Sequence, residues 1–289
     1  MLKKQYYSYS LLVPGMLIFT VFFLVPALMS FYFAFTNWDA SFTVTRHVGF
    51  DNFKTLFENE ENVLAFKNTF IFAAVTSFFK VFLGLLLAIL ANQMIKSRLI
   101  LRSVLFFPVI LSSVAVALAF NAIFHPGKGL LNTALRSVGL DSLAMSWLTD
   151  PSIVIYSVAF VEIWKFTGMS MVLFLAALQS VPQDVIEAGK IDGASPLKMF
   201  RYVTLPMLKP VLNTNIILSV IGGLKVFDLV YALTGGGPGN SSSVINTLVY
   251  KSFATGRNGE GTAANLVLFL IVLITVLLLN KIINRNTSR

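Results

Sequence analysis

Cysteine is absent from the 289 residues, histidine occurs only twice, and charged residues make up just 12% of the chain. The first absence excludes a disulfide framework, a thiolate metal site and a cysteine nucleophile, and it leaves the redox compartment unread. The two histidines, His47 and His125, fall in polar connecting segments, where a solvated loop residue is the economical reading of each. No G-x-x-x-x-G-K-[ST] run exists, so the chain has no P-loop for nucleotide. H-E-x-x-H and G-x-S-x-G are missing as well, and no enzyme active site or metal site is visible. Beside 56% hydrophobic residues, the scarcity of charge lies far outside the composition of a soluble domain and marks an integral membrane protein. The net charge of +9 does not read as nucleic-acid binding, because the Lys and Arg sit in short loops instead of gathering on one solvated face.

What the chain has in place of charge is long apolar runs. Crossing roughly 30 Å of hydrocarbon takes about twenty apolar residues. Windows of that length fall near residues 11–35, 68–91, 104–124, 152–178, 211–233 and 263–280. The expected fold is all-α: six transmembrane helices in one membrane domain over 11–284, preceded by a segment 1–10 and followed by a tail 285–289. "MLKKQYYSYS" has the basic start of a signal peptide, but its apolar run is too long and lacks a small-residue cleavage site, which predicts a retained span. Orientation follows Lys and Arg. Segments 1–10, 92–103, 179–209 and 281–289 hold twelve of them, against seven in the longer alternate segments. Both termini are therefore expected in the cytoplasm, together with the loop between spans four and five.

That loop, 180–209, is over-built for a connection, which needs only a handful of residues. Ser180 with Pro182 and Gln183 has capping-box spacing and predicts a helix start. Gly193 predicts its stop. Ser195 and Pro196 restart a second helix, which Pro206 and Pro210 are expected to end before span five. Met199, Phe200, Val203 and Met207 form an apolar stripe on that second helix. The stripe packs on the ends of the spans or enters a groove on a soluble partner, with Phe200 as an aromatic anchor and Glu187 and Asp192 as acidic contacts.

The run "EAGKIDGASPLKMFRYVTLP", 187–206, resembles the EAA loop of binding-protein-dependent ABC importer permeases. Glu187, Ala188, Asp192, Gly193, Ala194, Phe200, Leu205 and Pro206 match that pattern, and Gly189 stands where the family keeps a third small residue, usually alanine. "VGFDNFKTLF" (48–57), "NTF" (68–70), "EIWKFTGMSMVLFLAALQSVP" (162–182) and "VFDLVYALTGGGPGNSS" (226–242) are similar to the carbohydrate-uptake permeases related to the maltose and glycerol-3-phosphate systems. The resemblance covers nearly the whole chain. It implies the type I ABC importer permease fold in a bacterial or archaeal plasma (inner) membrane. It also implies a second homologous permease subunit, forming a heterodimer with this one, an ABC ATPase dimer docked on the loop, and an extracytoplasmic solute-binding protein that delivers a sugar. The chain itself would carry no cofactor; ATP and Mg would belong to the ATPase. Glu187, Ala188, Gly189, Asp192, Gly193, Ala194, Phe200 and Pro206 would make up the coupling element.

Ionisable residues inside a bilayer mark a pathway or a structural ion pair. Glu162 and Lys165 lie three apart in span four, and Lys225 and Asp228 repeat the spacing in span five with the signs reversed, so each pair can neutralise itself. Either the pairs keep the helices insertable, or their faces line a polar cavity for sugar hydroxyls. Lys80 has no local partner, so it should face a cavity, another helix or another subunit. Asn121, Trp164, Phe166, Asn213, Asn215, Phe227 and Tyr231 are further candidates, since sugars stack on aromatic faces and hydrogen-bond to amides. Gly222 and Gly223 permit close packing or a bend in span five. "LTGGGPGN" reads as a turn or a re-entrant corner at the mouth of the pathway. The competing readings are an autonomous secondary carrier or channel and, within the family, a permease for a polyol or glycerol phosphate.

Overall fold

The computed structural model describes residues 12–41, 45–92 and 98–285. The expected N-terminal segment 1–10 and positions 286–289 of the tail lie outside these residues. The described residues are helical apart from loops and one isolated antiparallel bridge between Thr36 and His47. The helices in chain order are α1 (Val13–Phe33), α2 (Asp51–Glu58), α3 (Glu60–Asn92), α4 (Arg98–Ile110), α5 (Ser113–Ile123) and α6 (Leu130–Ser137). They continue with α7 (Val154–Gln179), α8 (Gln183–Ile191), α9 (Pro196–Leu224), α10 (Asp228–Thr234), α11 (Ile245–Ala254) and α12 (Asn258–Arg285). Among the described residues five helices are long and apolar enough to cross a membrane, and six spans result if the bent pair α4–α5 counts as one.

The continuous helices α3 and α7 lie side by side and form the spine. Small residues bring the helices together, as expected where lipid removes the hydrophobic drive for association. A Cβ on Gly84 of α3 would meet Ser170 Cβ at 2.5 Å, and one on Gly168 of α7 would meet the Leu105 carbonyl of α4 at 2.3 Å. One on Gly223 of α9 would meet Ala73 Cα at 2.7 Å. Two of the four apolar clusters among the described residues lie at these contacts. One joins Phe72 to α5, the start of α7, and α10 through Val116, Phe120, Val154, Val158, Leu229 and Val230. The other joins Ala88 and Ala91 to Met171, Phe174 and Leu175.

Two expected spans are broken. Span three bends by 98° between α4 and α5. Pro108 removes a backbone donor just before the break, and Ser112 is extended (φ −59°, ψ 136°), which no helix tolerates. Span five stops at Leu224, one residue after the Gly222–Gly223 pair, and restarts as α10 after Phe227 leaves the helical region (φ −145°, ψ −63°). The outer pieces α5 and α10 pack on each other.

Pro206 and Pro210 do not end the second loop helix. It runs from Pro196 through to Leu224 as one rod with span five. A wider-wound turn at Phe200–Thr204 precedes Pro206, and its last hydrogen bond runs from the Leu205 N–H to the Phe200 carbonyl. That turn removes the need for a donor at Pro206 and relieves its ring clash. The same arrangement occurs in α1, where Thr20–Leu24 is wide-wound and the Val25 N–H reaches the Thr20 carbonyl immediately before Pro26.

Candidate functional site: a cavity at two helix breaks and a protruding hairpin

At the height of both breaks lies a cavity of about 400 Å³. Lys80 reaches it from α3, Ser113 from the first turn of α5, Glu162, Phe166 and Ser170 from α7, and Asn215 and Ser219 from α9. Lys225, Phe227 and Asp228 line it from the unwound turn between α9 and α10.

The ion pairs differ from those read in the sequence. Glu162 pairs with Lys80 across two helices, Nζ to Oε1 3.3 Å, with side chains 5% and 7% exposed. Tertiary contact overrides the i,i+3 spacing to Lys165. Lys165 instead turns its ammonium to the Val109 carbonyl at 3.4 Å and lies 4.2 Å from the centre of the Phe166 ring. Among the described residues Lys225 and Asp228 form no ion pair within 4.0 Å. They stand at the carbonyl end of α9 and the amide end of α10, where each charge has the favourable sign for the helix dipole.

Of the other expected pathway residues, Asn215 lines the cavity but is engaged. Its Oδ1 accepts from Ser170 Oγ at 3.0 Å, which ties α9 to α7. Asn121 donates to the Ala117 carbonyl of its own helix at 3.0 Å. Trp164 packs edge-on against Phe120, 5.2 Å between centres, and Tyr231 stacks on Phe227 at 5.3 Å. Asn121, Trp164, Asn213 and Tyr231 are not brought to the cavity. Ser113, Ser170 and Ser219 are, and sequence reasoning missed them. For the last, the signal was the Asn215–Ser219 spacing, which puts two polar groups on one face of an otherwise apolar helix.

Two asparagines also escaped notice. Asn68 Nδ2 donates to the carbonyls of Ser241 and Ser243 at 2.9 and 3.0 Å, which straps the Gly-rich segment to α3. Asn246 Nδ2 donates to the Lys225 carbonyl at 2.8 Å. The Gly-rich segment is a turn, with Gly235 and Gly236 at positive φ (61° and 91°). Lys251 Nζ and Glu61 Oε2 each bond Asn240 at 2.7 Å, the lysine to its Oδ1 and the carboxylate to its Nδ2. His125 Nδ1 accepts from the Gly127 and Lys128 N–H groups, and no group of three metal-ligating side chains occurs among the described residues.

At the other end α8 and the start of α9 form a hairpin. Gly193 takes the left-handed conformation at its turn (φ 74°), and Ser195 is the N-cap residue of α9. Ser180 does not begin α8. Its hydroxyl donates to the Ala177 carbonyl at 2.8 Å and closes α7, so the N-cap position falls to Pro182. The Met199, Phe200 and Val203 part of the stripe turns inward and is half-buried. Glu187, Ala188, Asp192 and Gly193 are exposed, as is Pro206, and Ala194 is half-buried. Met199 lies over position 189: a Cβ there would sit 2.5 Å from Met199 Cε and 3.0 Å from its Sδ, and the flexible end of that side chain would have to move aside. The hairpin's outward apolar groups are Ile191, Leu197 and Tyr202, 86%, 76% and 70% exposed.

Residues 80–289 match the family described as "Binding-protein-dependent transport system inner membrane component". "Probable ABC transporter permease protein YurN" of Bacillus subtilis is 33% identical, covering 94% of each chain. "Multiple sugar-binding transport system permease protein MsmF" of Streptococcus mutans is 32% identical over 93% of this chain and 92% of its own length. A chain of a bacterial alginate ABC transporter, solved in complex with an alginate pentasaccharide-bound periplasmic protein, superposes with a TM-score of 0.84. It is 27% identical and covers 96% of this chain and 94% of its own.

Proposed function

The chain belongs to the inner-membrane component family of binding-protein-dependent transport systems, and from that premise we propose that it is the permease subunit of an ATP-driven sugar or oligosaccharide importer. The cavity carries the substrate reading. It is of the size that takes a small organic ligand, and it lies where two spans lose their helical winding. Irregular backbone at membrane depth is tolerated where it lines such a space. The Lys80–Glu162 pair, Lys225, Asp228 and Ser219 present donors and acceptors to hydroxyl groups, and the faces of Phe166 and Phe227 suit the C–H edges of a sugar ring. The names of the Streptococcus relative and of the alginate transporter support the same substrate class.

The hairpin is the coupling element. Glu187, Ala188, Gly189, Asp192, Gly193, Ala194, Phe200 and Pro206 shape it, while Ile191, Leu197 and Tyr202 enter a groove of a separate ATPase that binds ATP and Mg. The basic flanks support a cytoplasmic location for this end, and the membrane is the plasma membrane of a bacterial or archaeal cell. No residue in the apolar window of α1 is fully buried, although its Val25–Phe33 half touches α12, which fits a second permease subunit beside it. A solute-binding protein docks at the opposite end, as the alginate complex suggests. Driving the cavity from one face to the other, from about 1:99 to 99:1, takes roughly 5.5 kcal/mol of differential binding, so the hairpin must stay gripped while the ATPase closes.

The test is co-purification of the tagged chain from the membranes of its own cell. A second permease-type subunit and an ATPase are expected with it, and Leu197→Asp should lose the ATPase while keeping the second permease. Recovery of the chain alone, competent for ion-driven transport, would instead support an autonomous carrier.

A further inference from the structure

The break in span three leaves the carbonyl end of α4 turned into the protein. In an unbroken helix the Val109 carbonyl would accept from the N–H of residue 113, but Ser113 opens α5 after the 98° bend. The last carbonyls of a helix need partners, and at membrane depth water does not supply them.

Lys165 of α7 supplies one. Its ammonium lies 3.4 Å from the Val109 oxygen, and the residue is 3% exposed. Among the described residues no carboxylate lies within 4.0 Å of it, because Glu162, the nearest along its own helix, is taken by Lys80. Glu162 and Asp228 act on it only from beyond 4.0 Å, and the C-terminal end of the α4 dipole adds negative potential at direct contact. Ser113, one residue beyond the break, lines the cavity, so the angle of the bend sets one of its walls. The second break carries the same kind of contact, from Asn246 to the Lys225 carbonyl at 2.8 Å.

We infer that Lys165 is a positioning residue: by holding the carbonyl end of α4 it fixes the bend of span three and with it the cavity wall formed by α5. It acts through Val109 and Ser113 and touches no substrate. Its consequence for transport rests on the permease reading above, whereas the bend itself does not.

The absence of cysteine makes the test direct. Leu99→Cys on α4 and Leu118→Cys on α5, at positions 71% and 69% exposed, take a spin-label pair in the full-length chain in nanodiscs. A straight helix would separate them by about 28 Å of rise, and the bend holds them closer. The parent should give one short-distance peak by pulsed electron paramagnetic resonance. Lys165→Met should lose that peak, with distances spreading toward about 28 Å. Lys165→Gln, uncharged and one atom shorter, should do the same and decides the matter if the Met variant does not fold. Lys165→Arg should keep the peak. A parent-like peak in the Met or Gln variant would overturn the inference, even if sugar uptake fell. Loss of the peak with normal uptake by the assembled transporter would retain the structural role and remove its consequence for the cavity.

Discussion

Lys80 and Glu162 share one ion pair across α3 and α7, and neither has another charged partner within 4.0 Å among the described residues. Removing one member strands the other: Lys80→Met should cost about 3–5 kcal/mol of stability. The double variant Lys80→Met, Glu162→Leu should recover most of that loss in thermal unfolding of the purified protein, and strictly additive losses would contradict the pairing. The adjacent glycines of α9 make a second contrast. Gly223→Ala drives a methyl into Ala73 and should cost about 1–3 kcal/mol. Gly222→Ala meets nothing within 4 Å and should be neutral or better by the same assay. Asp150, in the loop before α7, accepts from the Ser152 hydroxyl and N–H, and both bonds hold its carboxyl below the usual carboxylate range. A lowered folded value means stability that is present above the unfolded value of about 3.9 and lost as pH falls through the folded one. Asp150→Asn should therefore melt below the parent at pH 7, with the gap narrowing as the pH falls below that unfolded value.

In the proposed coupling role, the hairpin is the element where residue chemistry becomes an interface. Leu197→Asp changes an exposed tip and should leave stability within about 0.5 kcal/mol of the parent while abolishing ATPase retention on an affinity column. Phe200→Ala removes a half-buried ring and should lower stability by about 1–2 kcal/mol. Its effect on coupling would follow from a loosened hairpin. All six spans were readable as apolar runs, with the bent pair α4–α5 counting as one, because a span must be hydrophobic over most of its length to insert. The breaks were not, because the apolar runs resume beyond Ser112–Ser113 and beyond Lys225–Asp228, and composition records burial, not winding. Proline misled for a related reason: read as a stop at 206, it is absorbed by one wide turn that leaves no trace in spacing. Glu162 was legible as a buried ion, but its partner was not. The i,i+3 neighbour Lys165 is a possibility of the helix, and only the packing of α3 against α7 chooses Lys80. In the hairpin the Gly turn and the N-cap position of Ser195 were legible, though its hydroxyl makes no capping bond, while the inward turn of Met199 over Gly189 was not.

At the scale of the molecule, the unbroken helices α3 and α7 are flanked by two broken spans whose outer halves, α5 and α10, pack together, with α1 and α12 as further spans. Cavity, breaks and ion pair lie at one height, and the hairpin is rigidly continuous with span five through α9. Movement at the hairpin is thus delivered along a rod to the turn that carries Lys225 and Asp228. The central claim is that this rod is pulled by an ATPase the chain does not contain. The most direct measurement is radiolabelled oligosaccharide uptake into proteoliposomes holding the chain with its co-purified subunits and binding protein. The account predicts uptake that requires ATP, is insensitive to dissipating ion gradients, and is lost with Leu197→Asp. Uptake by the chain alone, driven by an ion gradient and indifferent to Leu197→Asp, would contradict it.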